Sequence, residues 1–483
     1  MSDGSANIAP TRRWGLWLGP VLCIVLLSLP PPAGMPPAAL KVAAVTVWMA
    51  CYWMLEVIPI PATALLPIAL FPLLGVMPVN EVTAAYANHL VYLFLGGFLI
   101  AMAIERWGLH RRVALHTVRL VGLSPPRLVL GFMLATAFLS AWISNTAAAM
   151  MMVTIGLAVL AQLDAEGQGD SRLGTTLMLG IAYAASIGGL ATLIGTPPNA
   201  ILAGVLESRY GYHLGFAQWL AFGVPLSLVL LALTWGYLVR YGLRGSNAEQ
   251  GPGARAITQA LHDLGTMSVQ ERRVLGVFLL VVIGWLSQGF VARGPLALIT
   301  DSSIAISGAL LLFMLPAGGG QRGFLLDWQQ AVRLPWDIIL LFGGGFALAK
   351  GFAVSGLTVW LGGLLGVFAG AGLVVILLAV VLVVIFLTEV TSNTATASLL
   401  LPVMGGFASA IGTHPLYLMV GTALAASCAF MLPVATPPNA IVFSSRRVTI
   451  PQMARTGIWL NLLATVVIVL FVAGLLPLLW PVQ

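Results

Sequence analysis

Long apolar stretches separated by short polar breaks dominate the chain, near residues 14 to 29, 42 to 57, 61 to 76, 90 to 104, 217 to 239, 274 to 287, 303 to 315, 337 to 349 and 457 to 480. Most are close to the roughly 17 to 25 residues a helix needs to cross a hydrocarbon layer. None shows the alternating ten-residue pattern of a membrane barrel. The pattern predicts an all-α polytopic membrane protein. From His110 to Val121, basic residues alternate with Val, Leu and Ala at helical spacing, which predicts an amphipathic helix lying at an interface.

Two kinds of polar interruption recur. Ser144-Asn145-Thr146-Ala147, inside the apolar run 126–163, returns 248 residues later as Ser392-Asn393-Thr394-Ala395, inside 372–411. Thr196-Pro197-Pro198-Asn199 breaks the run 175–206, and Thr436-Pro437-Pro438-Asn439 breaks 416–444. Two consecutive prolines remove two amide donors, so a helix cannot run through them. At membrane depth such a break is tolerated where it is buried in protein or lines a cavity. Gly96, Gly97, Phe98, Ala101, Gly108 and Leu109 recur at the same offset of 248, as Gly344, Gly345, Phe346, Ala349, Gly356 and Leu357. One offset held this far marks a duplicated unit.

Composition and charge refine the picture. The 483 residues are 59% hydrophobic and 8% charged, against the charged fraction of about 25% in a soluble domain. The net charge of +7 does not gather on one polar face, as a nucleic-acid surface would require. It falls between apolar stretches, as the positive-inside rule describes. With a cytoplasmic amino terminus, all of the 22 Lys and Arg residues except Lys41, Arg209, Arg293 and Lys350 lie on the cytoplasmic side. This partition requires the segments carrying the tetrads to enter and leave by one face. The tetrads are therefore expected at the tips of two re-entrant hairpins, with about eleven spanning segments, an extracytoplasmic carboxyl terminus and a second half inverted relative to the first. Residues 1–13 form a cytoplasmic tail, and the first apolar run is an uncleaved span because no clean Ala-x-Ala site follows it. Cys23, Cys51 and Cys428 lie in apolar stretches and suggest neither a disulfide framework nor a metal site, and the six histidines show no ligand spacing.

The recurring motifs carry the chemistry. Ser, Asn and Thr offer both donors and oxygen acceptors. At a hairpin tip they join freed backbone amides and helix amino termini, a combination that holds carboxylates or phosphate-like anions without a fixed cation. The carbonyls of a broken helix hold Na⁺ instead. A single Ser-Asn-Thr would more often be glue between membrane helices. Two copies, each paired with a broken helix, point to a transporter binding site. Glu389, ionisable within a membrane segment, is either functional or a bridge that holds its hairpin. No nucleophile, base and orienter converge near the tetrads, so an enzyme is not expected.

These paired tips and paired breaks resemble the divalent-anion/sodium symporter family, the sodium-coupled di- and tricarboxylate carriers, over nearly the whole chain. The resemblance implies a homodimer, each subunit with eleven transmembrane helices and two re-entrant hairpins, working as an elevator. Residues 14–125 and 272–370 would form the scaffold domain, 126–241 and 371–483 the transport domain, and 242–271 a cytoplasmic linker. It also implies one Na⁺ site at Ser140, Ser144, Asn145 and Gly195, and a second at Thr388, Thr391, Asn393 and Ala435. Substrate carboxylates would meet Asn145, Thr146, Ser392, Asn393 and Thr394, with Pro197 and Pro437 lining the pocket. The expected activity is Na⁺-coupled import of a C4-dicarboxylate such as succinate, malate or fumarate across the inner membrane. A dicarboxylate exchanger, or a carrier of citrate or sulfate, fits the same fold.

Overall fold

The computed structural model describes residues 10–165, 170–244, 253–291, 298–368 and 370–480. Residues 1–9 of the expected tail, Gly245-Ser246-Asn247 and Gly251-Pro252 of the linker, and Arg293 lie outside the described residues. Nearly all regular structure is helical. The first half runs α1 (Pro10–Ser28), α2 (Pro37–Leu55), α3 (Ile60–Thr63), α4 (Leu66–Leu73), α5 (Val79–Tyr86), α6 (His89–Arg106), α7 (Leu109–Val121), α8 (Pro125–Ser140), α9 (Asn145–Ala165), α10 (Ser171–Gly189), α11 (Pro197–Tyr210) and α12 (Phe216–Tyr237). After α13 (Gly253–Leu264) come α14 (Val269–Val291), α15 (Asp301–Met314), a ribbon of β1 (Pro316–Gly318) and β2 (Gln321–Phe324), α16 (Trp328–Ala331), α17 (Trp336–Ser355) and α18 (Leu357–Leu365). The chain closes with α19 (Leu373–Thr388), α20 (Asn393–Ala410), α21 (Pro415–Ala426), α22 (Pro437–Ser444), α23 (Ile450–Leu470) and α24 (Leu476–Leu479).

Among the described residues, six helical segments are long and apolar enough to cross a membrane: 37–55, 79–106, 145–165, 216–242, 336–355 and 450–479. Shorter apolar helices, among them α8, α15 and α21, add to them. Each tetrad lies where two helices meet, α8 with α9 and α19 with α20. Each Thr-Pro-Pro-Asn lies where a helix stops and restarts, between α10 and α11 and between α21 and α22. The restarts follow from proline chemistry. Pro197 and Pro437 open α11 and α22, where a missing amide costs nothing and the fixed φ already suits a helix. α7 is amphipathic as the sequence predicts, burying Leu109, Ala114, Leu115 and Val118. The β1–β2 ribbon was not foreseen, because strands of three and four residues around Gly318-Gly319-Gly320 carry no alternation.

The halves interlock rather than sit side by side. α9 and α10 pack on α22, α11 on α20 and α21, α12 on α23, and α6 on α15. The duplicated glycines explain two close approaches. A Cβ on Gly96 of α6 would lie 2.6 Å from the Ala305 carbonyl carbon of α15, and one on Gly344 of α17 would lie 2.5 Å from the Ala64 oxygen. One large hydrophobic core runs from Leu90 to Trp480 through both halves. A smaller one gathers Met49, Trp53, Phe71 and Phe352 of α2, α4 and α17.

Candidate functional site

The first tip is organised by Ser140 at the end of α8. Its hydroxyl bonds the Asn145 amide oxygen and lies 2.6 Å from the Ala185 carbonyl of α10. The second tip repeats this with Thr388, which lies 2.7 Å from Asn393 Oδ1 and 3.0 Å from the Ala426 carbonyl of α21. Thr391 adds a bond to Thr396 at 2.7 Å. Ser144 accepts from the Ala147 amide at 3.2 Å and so caps α9.

The broken helices are matched just as closely. Asn199 Nδ2 donates to the Gly189 and Thr192 carbonyls at 3.3 and 2.9 Å. Asn439 Nδ2 donates to the Ala429 and Leu432 carbonyls at 3.2 and 3.0 Å. Both asparagines are fully buried, and each ties the restarted helix to carbonyls that the break leaves without helical partners. In the first break the backbone folds onto itself. A Cβ on Gly195 would sit 2.5 Å from the Gly189 oxygen, and one on Gly189 would meet Asn145 Oδ1 at 2.9 Å and the Gly195 oxygen at 3.0 Å. Asn145 and the Gly195 carbonyl thus crowd the same side of Gly189.

Glu389, the carboxylate beside the second tip, is fully engaged. It accepts from the amides of Phe430, Met431 and Leu432 at 2.7, 2.9 and 3.0 Å and from Asn461 Nδ2 at 2.8 Å. It therefore fastens the break after α21 to the hairpin. Its counterpart at the offset of 248 is Ala141, whose carbonyl accepts from Thr192 Oγ1 at 2.6 Å. The same join is made without a charge.

Tips and breaks open onto one cavity of about 730 Å³. Ser144, Asn145, Thr146, Gly195, Thr196 and Pro197 line it from the first half, and Thr391, Ser392, Asn393, Thr394, Ala435, Thr436 and Pro437 from the second. Of the expected site residues only Ser140 and Thr388 stand behind this lining, fully buried and reaching it through Asn145 and Asn393. The amino termini of α9, α11, α20 and α22 all face the cavity and bring partial positive charge to it, although the Pro-Pro openings of α11 and α22 carry no amide at their first two positions. Among the described residues no Lys, Arg or His lines it. Trp53, Phe94 and Phe98 supply apolar wall, and Glu56 and Asp337 are acidic lining residues exposed to solvent. Sequence reading missed these five as site residues. None belongs to a motif, and only Phe98, inside the duplicated glycine-rich stretch, carries a signal that could have marked it.

The family model described as the sodium:sulfate symporter transmembrane region matches residues 11–480. The chain belongs to this family. It is 46% identical over 473 residues to the sodium-dependent dicarboxylate transporter SdcS of Staphylococcus saprophyticus, covering 96% of this chain and 91% of that protein. It is 43% identical to SdcS of Staphylococcus aureus strain USA300, with the same coverage. In fold it is similar to the YdaH transporter of Alcanivorax borkumensis, with a TM-score of 0.55 and 15% identity, covering 98% of this chain and 99% of that one. Membership of the symporter family makes this a multi-pass membrane protein.

Proposed function

We propose that the protein is a secondary active transporter that imports C4-dicarboxylates together with Na⁺. The observation that carries this reading is one cavity faced by four helix amino termini, two from each half, with no cationic side chain among the described residues that line it. Each half offers one cradle for one carboxylate, Asn145 and Thr146 in the first and Ser392, Asn393 and Thr394 in the second, with Pro197 and Pro437 between them. Partial charges alone compensate a dianion incompletely, so co-bound cations supply the rest. The oxygens of Ser140, Ser144, Asn145 and Gly195, and of Thr388, Thr391, Asn393 and Ala435, are the two sets assigned to Na⁺. The names of the staphylococcal relatives support both substrate and ion.

In this reading α8–α9 and α19–α20 are re-entrant hairpins and the chain crosses the inner membrane eleven times, with its amino terminus cytoplasmic and its carboxyl terminus outside. The transport domain, 126–241 with 371–483, moves as an elevator against a scaffold of 14–125 with 272–370, and the scaffold forms the homodimer contact. The cavity is then inward-facing, since Glu56 and Asp337 stand at the ends of α2 and α17 that the charge bias puts in the cytoplasm. Moving a dianion inward against 100 mV costs about 4.6 kcal/mol. Two Na⁺ cancel that charge, and a third makes import voltage-driven.

The test is uptake of labelled succinate into proteoliposomes with and without an inward Na⁺ gradient. Accumulation that needs Na⁺ and is lost in both Asn145→Ala and Asn393→Ala is the expected result. Uptake that ignores Na⁺ and needs internal dicarboxylate would replace symport by exchange. Competition by sulfate or citrate at equal concentration would shift the substrate class.

A further inference from the structure

The histidines are scattered along the chain, and their spacing gave no hint of a metal centre, yet folding brings two of them onto one carboxylate. His89 opens α6, Glu207 lies in the last turn of α11, and His213 lies in the connection to α12. His89 Nε2 is 2.8 and 2.7 Å from the two oxygens of Glu207, and His213 Nδ1 is 3.6 Å from Glu207 Oε1. The two imidazoles stack with centroids 6.1 Å apart. One ligand atom from each of the three residues lies within 4.8 Å of the other two.

The surroundings prepare these atoms for a cation. Ser302 Oγ donates to the His89 carbonyl at 2.8 Å, so at 3.2 Å from His89 Nδ1 it acts as an acceptor. Nε2 faces the Glu207 carboxylate, where a cation between them would take the place of the Nε2 proton, and the Ser302 acceptor then holds the remaining ring proton on Nδ1, as outer partners do for metal-bound histidines. Asp301, 4% exposed, accepts from the Phe216 amide at 2.8 Å through Oδ2, while its Oδ1 is buried with no partner. The Glu207 carboxylate stands between the two imidazoles, 2.7 Å from His89 Nε2 and 3.6 Å from His213 Nδ1. The corner is thus negative. The three side chains are 37%, 30% and 46% exposed, which leaves room for an ion to enter and for water as a further ligand.

We propose that His89, Glu207 and His213 form a binding site for a divalent transition-metal ion of the Zn²⁺ class, and that its occupancy arrests transport by pinning α6 to α11. Two imidazoles and one carboxylate are a donor set that zinc takes, at about 2.0–2.2 Å. A tetrahedral ion at those distances holds its ligand atoms roughly 3.3 Å apart, within the present spread and reached by small side-chain rotations. Mg²⁺ and Ca²⁺ favour all-oxygen shells and are excluded by this set. The arrest rests on the proposed elevator, in which α6 and α15 belong to the scaffold and α11 to the moving part. The binding does not rest on it.

The two claims are measured separately on the full-length purified protein. Competition with a chromophoric chelator should give one Zn²⁺ per chain, with affinity weakened in His89→Ala, Glu207→Gln and His213→Ala by more than the roughly 10–100-fold that loss of an outer partner costs. Zn²⁺ should raise the melting temperature of the parent chain and not of the variants, and Mg²⁺ should raise neither. In proteoliposomes, external Zn²⁺ should inhibit succinate uptake by the parent chain and spare His213→Ala. Equal Zn²⁺ binding by the parent chain and the His89→Ala/His213→Ala pair would overturn the site. Binding without inhibition of Na⁺-driven uptake would overturn the arrest. Absence of Na⁺-driven uptake, with zinc still bound, would instead count against the transport reading.

Discussion

At the scale of residues, the duplicated motifs are copied in detail but not in every atom, and the differences predict unequal mutants. Gly195 and Ala435 hold equivalent places. Gly195 has the Gly189 oxygen where a Cβ would go, whereas Ala435 already carries one. Gly195→Ala should therefore weaken Na⁺ activation of uptake by tenfold or more, and Ala435→Gly should stay within about twofold, read from Na⁺ titrations in proteoliposomes. Glu389 accepts four hydrogen bonds at its two oxygens. Glu389→Gln turns one acceptor into a donor facing amide donors, and hydrogen bonds to charged groups contribute about 1.5–3 kcal/mol each. We expect a clear fall in melting temperature that Glu389→Asp does not reproduce in full. The tetrads and prolines were legible in the sequence because both are repeated. Glu389 was visible as a charge in an apolar run, but its partners lie 41 or more residues away, and no local pattern names them.

Among the elements, the helices that periodicity and proline punctuation define were read closely. The run 126–163 became α8 and α9, and 372–411 became α19 and α20. What escaped was structure made by contacts between distant segments. Arg112 of α7 is the clearest case. Its guanidinium pairs with Glu271 of α14 at 2.7 Å and bonds the Gly265 carbonyl at 2.9 Å, and Glu271 is 5% exposed. Breaking such a pair from one side strands a buried charge and costs about 3–5 kcal/mol. Arg112→Ala should lower the thermal midpoint sharply. Arg112→Lys should recover only part, because an ammonium cannot span the carboxylate and the carbonyls together. Thermal unfolding in detergent decides both.

For the whole molecule, the electrostatics of the cavity set the expectation. Glu56 and Asp337 line it and are exposed to solvent, with no Lys, Arg or His among the described lining residues to offset them. Their field opposes an approaching dianion and favours Na⁺. Asp337→Asn should lower KM for succinate about two- to fivefold at low ionic strength. The gain should vanish at about 1 M salt, where the screening length falls to about 3 Å.

The glycine at the α6–α15 crossing carries a consequence of another kind. Gly96 and Ala305 touch through bare backbone, but they are 209 residues apart. At a synthesis rate of about 5–20 residues per second, α6 waits roughly 10 to 40 s for the surface that fits it. During that interval the Gly96 face of α6 lacks the partner that covers it in the finished fold. The duplicated halves therefore complete each other's packing, and a product truncated between them leaves this face of α6 without its partner.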